Sequence, residues 1–222
     1  MIKEGRIKKQ EPLPEISEGE RPFELPVGWE WARPNEFSQK ITDGEHFRPP
    51  TQHKGVYFLS AKDIRSEGVS FDDPLFVDES VAKKALQRCN PGIGDLLIVS
   101  RGATIGRVCI VDTEQVFCLL GSVILIKPMM PMLSQYLRII MTTPHAFGQL
   151  ISASGSTAQP AIYIRDIKKI LFPIAPLAEQ HRIVAKVGEL LTLCDTLKAR
   201  LKDAHTTQVH LADAIVEHAT AS

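Results

Sequence analysis

Three segments of the 222-residue chain combine glycine with short polar or basic side chains: TDGEHFR at residues 42–48, SRGATIG at 100–106 and SASGSTAQPAI at 152–162. Such side chains neutralise phosphates and hydrogen-bond to the edges of nucleobases, and glycine lets a backbone approach a ligand closely. The segments therefore predict a polar, DNA-binding surface on loops. Its candidate residues are His46, Arg48, Ser100, Arg101, Gly102, Thr104, Ser156, Thr157 and Gln159.

Each segment has two interpretations. Gln159 carries an amide whose donor and acceptor suit adenine, and His46 and Arg48 can bind a phosphate or the edge of a guanine. Alternatively, TDGEHFR is a structural turn, SRGATIG is a simple hairpin turn, and SASGSTAQPAI is a loop that caps a helix. The residue types alone leave both interpretations open.

The charge of the chain is balanced overall and uneven locally. Lysine and arginine together number 26, as do aspartate and glutamate, so the formal net charge is zero. Between residues 81 and 107, however, five basic residues stand against the single acid Asp95. We therefore expect a local positive face, and overall neutrality does not exclude binding to DNA. The basic residues of this stretch are Lys83, Lys84, Arg88, Arg101 and Arg107.

Sequence motifs for catalysis are missing. A methyltransferase needs a glycine-rich cofactor loop and an Asn/Asp-Pro-Pro-aromatic loop, and the nearest fragment, CNPGIGD at residues 89–95, lacks the second proline and the aromatic residue. Nuclease chemistry needs carboxylates and a lysine that converge on a metal, and no convincing pattern of this kind occurs. The seven histidines have no regular metal-ligand spacing. The sequence therefore predicts a non-catalytic protein without metal or cofactor.

The cysteines and the apolar runs indicate the compartment. Cys89, Cys109, Cys118 and Cys194 stand singly, without the paired spacing of a zinc site, and are interpreted as reduced core residues. No apolar run approaches the roughly 20 residues of a membrane span. The first ten residues also lack the apolar segment of a secretory signal. A cytoplasmic protein is therefore expected.

Short apolar runs, broken by glycine and proline, predict an α+β domain of mixed strands and helices over residues 25–175. Residues 1–24 are charged and rich in proline, which is typical of a leader or tether. Apolar residues dominate both faces of several strands, so these strands are expected to be buried. The predicted strands are 56–60, 95–100, 105–111, 122–128 and 167–174, and the predicted helices are 133–141 and 144–153.

A heptad seam runs through the C-terminal part of the chain. In IVAKVGELLTLCDTLKARL, residues 183–201, apolar side chains recur at alternating steps of four and three. This spacing is typical of a helix that pairs with another helix in a coiled coil. The pattern continues beyond residue 201 through Ala204 and Gln208. The candidate pairing residues are Ile183, Val187, Leu190, Cys194, Leu197, Leu201, Leu211 and Ile215.

The helix that carries this seam is predicted to begin after Pro176 and to continue almost to the C-terminus. A helix over residues 177–219 would be on the order of 60 Å long, which is more than a small domain can cover. A helix that lies along its own domain is the alternative. However, a projecting seam without a partner would leave a large apolar stripe in water. Residues 176–222 are therefore expected to form a dimerisation or spacer region.

Five segments in order resemble the specificity subunit of type I restriction-modification systems. They are LPVGWEW, ITDGEHFRPP, GDLLIVSRGATIG, GSTAQPAI and LFPIAPLAEQHRIVAKV. The last two in tandem are fairly specific, because GST is followed some twenty residues later by a proline and the sequence AEQ. The family's paired prolines, and its proline before Glu-Gln, are replaced here by Ala175 and Ala178. The resemblance extends from residue 25 to about residue 201.

This resemblance implies a target recognition domain that reads a short sequence in double-stranded DNA. It also implies modification (methyltransferase) and restriction subunits as partners. Full members of the family carry two recognition domains and two long helices that pair antiparallel, and this chain has one set. The implied partner of its helix is therefore a second recognition domain or a second copy of the chain.

Two consequences of this hypothesis separate it from its alternative. If two copies pair, their twofold symmetry predicts a palindromic, bipartite DNA site. The alternative is a coiled-coil scaffold that binds no DNA. A positive concave face beside Gly44, Gly102 and Gly155 would favour DNA reading.

Overall fold

The computed structural model describes residues 15–153 and 160–220. The chain divides into two units, with the boundary after Leu177. Among the described residues, the first unit contains all the β-strands and the shorter helices, and the second is formed by the long C-terminal helix. None of the described helices combines the length and the apolar character needed to cross a membrane.

The β-strands of the first unit form three small sheets. One sheet has two strands in the order β1-β9, one has four in the order β2-β8-β5-β6, and one has three in the order β4-β3-β7. Neighbouring strands are antiparallel except β3 and β7, which are parallel. The strands are β1 (Glu30–Ala32), β2 (Ser38–Asp43), β3 (Val56–Leu59), β4 (Leu75–Val77), β5 (Leu96–Val99), β6 (Val108–Ile110), β7 (Phe117–Leu119), β8 (Val123–Pro128) and β9 (Phe172–Ile174).

Helices of very different lengths connect and follow these strands. They are α1 (Pro34–Phe37), α2 (Glu79–Arg88), α3 (Leu133–Met141), α4 (Pro144–Ala153), α5 (Ile164–Ile167) and α6 (Leu177–Thr220). Two single 3-10 turns lie at Glu18–Glu20 and Ala61–Asp63.

Strand β3 shows how the core is built, because neighbouring residues of a strand point to opposite faces. Leu59 belongs to a buried cluster with residues of β5, β7 and β8, such as Leu97 and Leu125. Phe58 points the other way, into a second cluster with Ala82 and Ala85 of α2. The three-stranded sheet is therefore covered by the four-stranded sheet on one face and by α2 on the other.

Helix α3 links the four-stranded sheet to β9 through a buried tyrosine. Tyr136 is 1% exposed, and its hydroxyl donates to the carbonyl of Pro173 at 2.7 Å. The same hydroxyl accepts a hydrogen bond from the backbone N–H of Ala175 at 3.3 Å. Because a buried hydroxyl without partners would cost free energy, these bonds favour one position for the chain just before α6.

The mixed α+β fold class with a long C-terminal helix is confirmed, and α3 and α4 have the predicted bounds. The strand predicted over residues 167–174 is confirmed only at its end, and its predicted start is wrong. Residues Ile164–Ile167 form a helical turn instead, since the backbone N–H of Ile167 donates to the carbonyl of Tyr163 at 3.1 Å. Only Phe172–Ile174 is extended. The prediction also missed α2 and β2.

Helix α6 contains 44 residues, so it is about 66 Å long. Ile183 and Val187 of the predicted seam are half-buried. The other seam residues are exposed, with Leu201 71% exposed. Cys194 is exposed as well, so its interpretation as a core residue is wrong, whereas the other three cysteines are buried. The exposed seam residues are Leu190, Cys194, Leu197, Leu201, Leu211 and Ile215.

Candidate nucleic-acid interface

One end of the four-stranded sheet gathers loops that are distant in sequence. Strand β2 ends there, β8 begins there, and β5 ends there, because Asp43 pairs with Ile124 and Val99 pairs with Val123. The segments that leave these strands, residues 44–55, 100–107 and 120–122, therefore meet at the same place. We call this end of the sheet the loop edge.

Backbone hydrogen bonds join the loops directly. The N–H of Glu45 donates to Leu119 O, and the N–H of Gly121 donates back to Glu45 O, each at 2.7 Å. On the other side, the N–H of Ile162 donates to Ser100 O at 2.9 Å, beside an antiparallel bridge between residues 101 and 161. The first two predicted segments and the end of the third thus lie together. Ser156, Thr157 and Gln159 lie outside the described residues.

Gly44 allows the closest backbone approach at the loop edge. A Cβ atom at this position would lie 2.1 Å from the carbonyl oxygen of Leu119, a distance that no side chain can occupy. Asp43 is the last residue of β2, so the Asp-Gly pair continues a strand into the contact with Leu119 and does not form the turn expected from its sequence. Gly44 therefore holds the His46 segment against the strand that ends at Leu119.

Glycine also shapes the loop after β5. Gly102 has φ of +102° and an added Cβ would meet no atom within 4 Å, so its backbone is open to a ligand. Gly106 has φ of +81°, and a Cβ there would lie 2.6 Å from the ring of Phe147. Thr104 is half-buried, and its carbonyl accepts from the N–H of Arg107 at 3.0 Å. The loop is a tight turn with an accessible tip at Gly102.

Ser100 differs from the other candidates of this loop. Its side chain is 1% exposed, and its hydroxyl donates to the carbonyl of Gly121 at 3.3 Å. Its N–H donates to Ser122 O at 2.8 Å. The expectation that Ser100 offers its hydroxyl to a ligand therefore conflicts with its burial, and Ser100 joins two loops of the edge.

Arg88 brings a guanidinium group to the loop edge from the end of α2. Its Nη2 lies 2.6 Å from Nε2 of His46, and the same nitrogen forms an ion pair with the carboxylate of Asp43. A guanidinium group can only donate, so Nε2 of His46 accepts in this arrangement. The side chains of Arg88 and His46 are 44% and 47% exposed. Asp43 therefore orients an arginine and a histidine that remain accessible.

Residues 47 and 48 extend this accessible surface. Phe47 is 87% exposed and Arg48 is exposed as well. A fully exposed phenylalanine beside an arginine has no role in the core, and aromatic rings beside cations are typical of nucleic-acid-binding surfaces. Phe47 was not predicted from the sequence as a site residue.

A second aromatic residue was also missed from the sequence. Tyr163 is 44% exposed, and the guanidinium carbons of Arg101 and Arg165 lie 5.6 and 4.9 Å from the centre of its ring. The signal was present as YIR, directly after the polar segment that ends at Ile162. Neither Tyr163 nor Arg165 was among the candidate residues predicted from the sequence.

The five basic residues between 81 and 107 do not form one face. Arg88 and Arg101 reach the loop edge, as described above. Arg107 instead donates from its guanidinium group to the carbonyl of Ile64 at 3.2 Å. The positive character of the loop edge thus depends on residues from several segments, including Arg48 and Arg165, which lie outside the stretch singled out by its charge.

The opposite end of the same sheet is closed. The Nζ of Lys127 forms an ion pair with Asp95, and Asp95 also accepts from the N–H of Gly92 at 2.8 Å. Asp95 is 3% exposed, and burial raises its pKa above the ordinary value despite the favourable effect of Lys127. Lys127 and Asp95 are thus paired with each other, so the loop edge is the candidate binding surface of this sheet.

A comparison with protein families identifies the chain. The family model described as "Type I restriction modification DNA specificity domain" matches residues 49–204, which is more than half of the sequence. The chain belongs to this family of DNA specificity domains. The match begins at residue 49, directly after the segment that contains His46, and ends within α6, so the family pattern includes parts of both units.

Curated relatives of this specificity domain are longer proteins. It is 31% identical over 226 residues to the type I restriction enzyme EcoAI specificity subunit of Escherichia coli. It is 27% identical over 231 residues to the EcoEI specificity subunit of the same organism. Each match covers 99% of this chain and 38% of the relative. The chain therefore spans well under half the length of these relatives.

Solved structures share the fold. The HsdS subunit from Thermoanaerobacter tengcongensis matches with a TM-score of 0.58 at 23% identity, over 80% of this chain and 40% of that chain. A chain from the structure described as "Structural basis underlying complex assembly and conformational transition of the type I R-M system" matches with a TM-score of 0.65 at 22% identity, over 88% and 46%. At these identities the likeness supports the fold alone.

Proposed function

We propose that residues 25–175 are a target recognition domain that reads one half of a bipartite site in double-stranded DNA. The observation that carries this proposal is the convergence of the predicted polar loops at one sheet edge, together with exposed cations and aromatic rings. Base edges are read by side chains that reach into a groove, and phosphates are neutralised by arginine and lysine around them. The loop edge offers both kinds of group.

The proposed contacts follow from accessibility. Arg88 is oriented by Asp43 and is a candidate for a guanine edge, since arginine can donate to guanine O6 and N7. Gly102 leaves room for close approach of the DNA backbone. The full set proposed is His46, Arg48, Arg88, Arg101, Gly102 and Thr104, with Ser156, Thr157 and Gln159 retained as predictions from the sequence.

We further propose that α6 pairs antiparallel with the helix of a second recognition domain or of a second copy. Its exposed seam supports this, because a paired helix would remove Leu190, Leu197 and Leu201 from water. Leu191 and Leu193 flank the seam and are 51% and 54% exposed. They widen the apolar face beyond what one partner helix covers, which supports docking of the modification subunit there.

In this proposal the chain is non-catalytic, and methyl transfer and DNA cleavage belong to the modification and restriction subunits. Residues 1–24 act as a leader, residues 176–222 as the pairing region, and the protein works in the cytoplasm, where its DNA lies. No described group of three or more His, Cys, Asp or Glu side chains is arranged to hold a metal.

A methylome comparison tests this function. Cells with and without the gene, each carrying the modification subunit, are sequenced for methylated bases. We expect one bipartite sequence to be methylated only when the gene is present, and its half-sites should be palindromic if the partner is a second copy. Binding by the assembled complex should weaken by about 1–3 kcal/mol for each wrong base pair. No binding to any duplex and an unchanged methylome would instead favour a scaffold.

A further inference from the structure

Tyr163 presents an aromatic ring to two arginines that come from different segments. Arg101 belongs to the loop after β5, and Arg165 belongs to α5. Their guanidinium carbons lie 5.6 and 4.9 Å from the ring centre, within the range of cation–π attraction. The ring is 44% exposed, so the assembly lies at the surface. One ring therefore lies beside two exposed cations.

The backbone beneath the ring is fixed on both sides. Before Tyr163, Ile162 is 2% exposed and its N–H donates to Ser100 O at 2.9 Å. After it, Asp166 accepts from the N–H of Tyr163 itself at 3.2 Å. The backbone that carries the ring is therefore held in place. Nothing in the packing of the core requires an aromatic residue at this exposed position.

The charges around the ring leave a positive surplus. Asp166 lies 3.6 Å from Nε of Arg165, and its own side chain is 14% exposed, whereas that of Arg165 is 76% exposed. Among the described residues, the ion pairs found do not include Arg101. The carboxylate of Asp166 is thus paired with Arg165, and the guanidinium group of Arg101 adds a second positive charge beside the ring. The surface chemistry is that of a site for an anion with more than one negative centre.

We propose that Tyr163 is a positioning residue whose ring holds Arg101 and Arg165 as a pair that binds backbone phosphates of duplex DNA. This inference rests on the proposed function and deepens it. A long arginine side chain loses conformational freedom when it binds, and a guanidinium group that already rests on a ring loses less. The ring therefore increases affinity through preorganisation.

The place of the pair in the fold explains its use. Phosphate contacts fix the register of a protein on the duplex, and base contacts then read the sequence. Arg101 adjoins Gly102 at the open tip of the loop, and Tyr163 follows the polar segment that contains Gln159. A phosphate clamp here would set the distance between the DNA backbone and the predicted base-reading side chains.

Salt-dependent binding tests this role. The full chain is titrated with a mixed-sequence duplex of two helical turns, ~20 base pairs, at several salt concentrations. For Tyr163→Leu we expect about tenfold weaker binding at low salt, and a slope of log K against log salt that is flatter by up to ~1.8, for two phosphates. Tyr163→Phe keeps the ring face and should behave like the original chain. Arg21→Ala, an exposed arginine of the leader, is the control for the loss of one charge.

A mutant cycle separates positioning from direct contact. In the background Arg101→Ala with Arg165→Ala, adding Tyr163→Leu should change neither affinity nor slope. A further loss in that background means that the ring itself contacts DNA, and it overturns the positioning role. Unchanged binding by Tyr163→Leu alone overturns the role as well, while the proposed function stands. Failure of the original chain to bind duplex removes both. Tyr163→Gln repeats the test if leucine lowers the unfolding temperature.

Discussion

Leu97 and Leu197 have the same side chain and opposite surroundings. Leu97 lies in β5 at the centre of the four-stranded sheet and is 0% exposed, whereas Leu197 lies in α6 and is 49% exposed. The first unit buries most of the apolar residues of its strands in its own core, whereas the helix has a regular row of apolar residues on its surface. A buried apolar residue such as Leu97 thus contributes to folding, and an exposed one in the helix, such as Leu197, is available for association.

Thiol chemistry gives the largest expected contrast between the two regions. Burial raises the pKa of Cys89 and Cys109 to about 12 and that of Cys118 to about 11. The reactive thiolate of Cys89 at pH 8 is thus on the order of a thousandfold scarcer than for an unburied thiol. Cys194 is exposed. With a thiol-reactive dye, we expect one fast equivalent per native chain and four in denaturant.

The position of Cys194 in the seam refines this labelling experiment. If α6 pairs through the seam, the rate at Cys194 should fall as protein concentration rises. Mass spectrometry of peptides assigns the label to a residue. Rapid labelling of Cys89 or Cys109 in the native chain would contradict the closed core, and a concentration-independent rate at Cys194 would contradict pairing with a second copy.

Charges placed in the seam should have the next largest effect. Leu190→Asp together with Leu197→Asp would bury unpaired carboxylates in a paired helix, at a cost of about 3 kcal/mol or more for each charge. Pairing should be lost, which sedimentation at tens of micromolar would detect. Thr192→Asp with Thr196→Asp adds the same charge on the opposite face of the helix and should leave pairing intact. Equal effects of the two pairs would mean that the seam is not the interface.

A matched pair of leucine truncations tests the comparison directly. Leu97→Ala should lower the free energy of unfolding of the first unit by about 2–5 kcal/mol, because it removes buried atoms and leaves a cavity. Leu197→Ala should leave that free energy within about 0.5 kcal/mol, as surface changes usually do. Both tryptophans lie in the first unit, so tryptophan fluorescence in urea reports on it selectively. Similar losses for both variants would show that α6 contributes to the stability of the first unit.

Sequence periodicity predicted an element correctly where one face of that element is buried by large apolar side chains along its whole length. The bounds of α3 were predicted because its apolar residues, such as Tyr136 and Ile140, recur at helical spacing and are buried. Helix α2 was missed because its buried residues are Ala82 and Ala85, which give a weak apolar signal in a stretch otherwise rich in charge. The buried face of α2 is set by close packing, which needs small residues.

The candidate binding surface was predicted only in part, for a different physical reason. Loops such as those of His46 and Gly102 were singled out by composition, but nothing in composition indicates that β2, β5 and β8 end side by side. Ser100 is a residue type that commonly donates hydrogen bonds at surfaces, but it is buried here. Tyr163 is a residue type that is common in strands, but its ring is exposed here. Which strands pair with one another decides whether these residues are buried or exposed, and such long-range pairing cannot be predicted from one sequence.

Glycine replacement gives the smallest effects, with opposite signs in the two regions. Gly106→Ala should destabilise the first unit by about 1–2 kcal/mol, since its φ of +81° disfavours other residues. Its new Cβ would also press on Phe147, whose ring is 43% exposed and can shift. Gly188→Ala should stabilise α6 by up to about 1 kcal/mol, because alanine is a better helix former and its Cβ would meet no atom within 4 Å.

Two readouts separate these small changes. Tryptophan fluorescence in urea should show lower stability of the first unit in Gly106→Ala and no change in Gly188→Ala. Far-ultraviolet circular dichroism should show that Gly188→Ala loses its helix at a higher urea concentration than the original chain. Gly102→Ala is the control for strain without a clash, because its φ is +102° and the space around it is open. If adding Phe147→Ala restores part of the stability that Gly106→Ala loses, the part that is not restored is due to backbone strain. If both Gly106→Ala and Gly188→Ala lowered stability, α6 would be held by contacts that its exposed surface does not reveal.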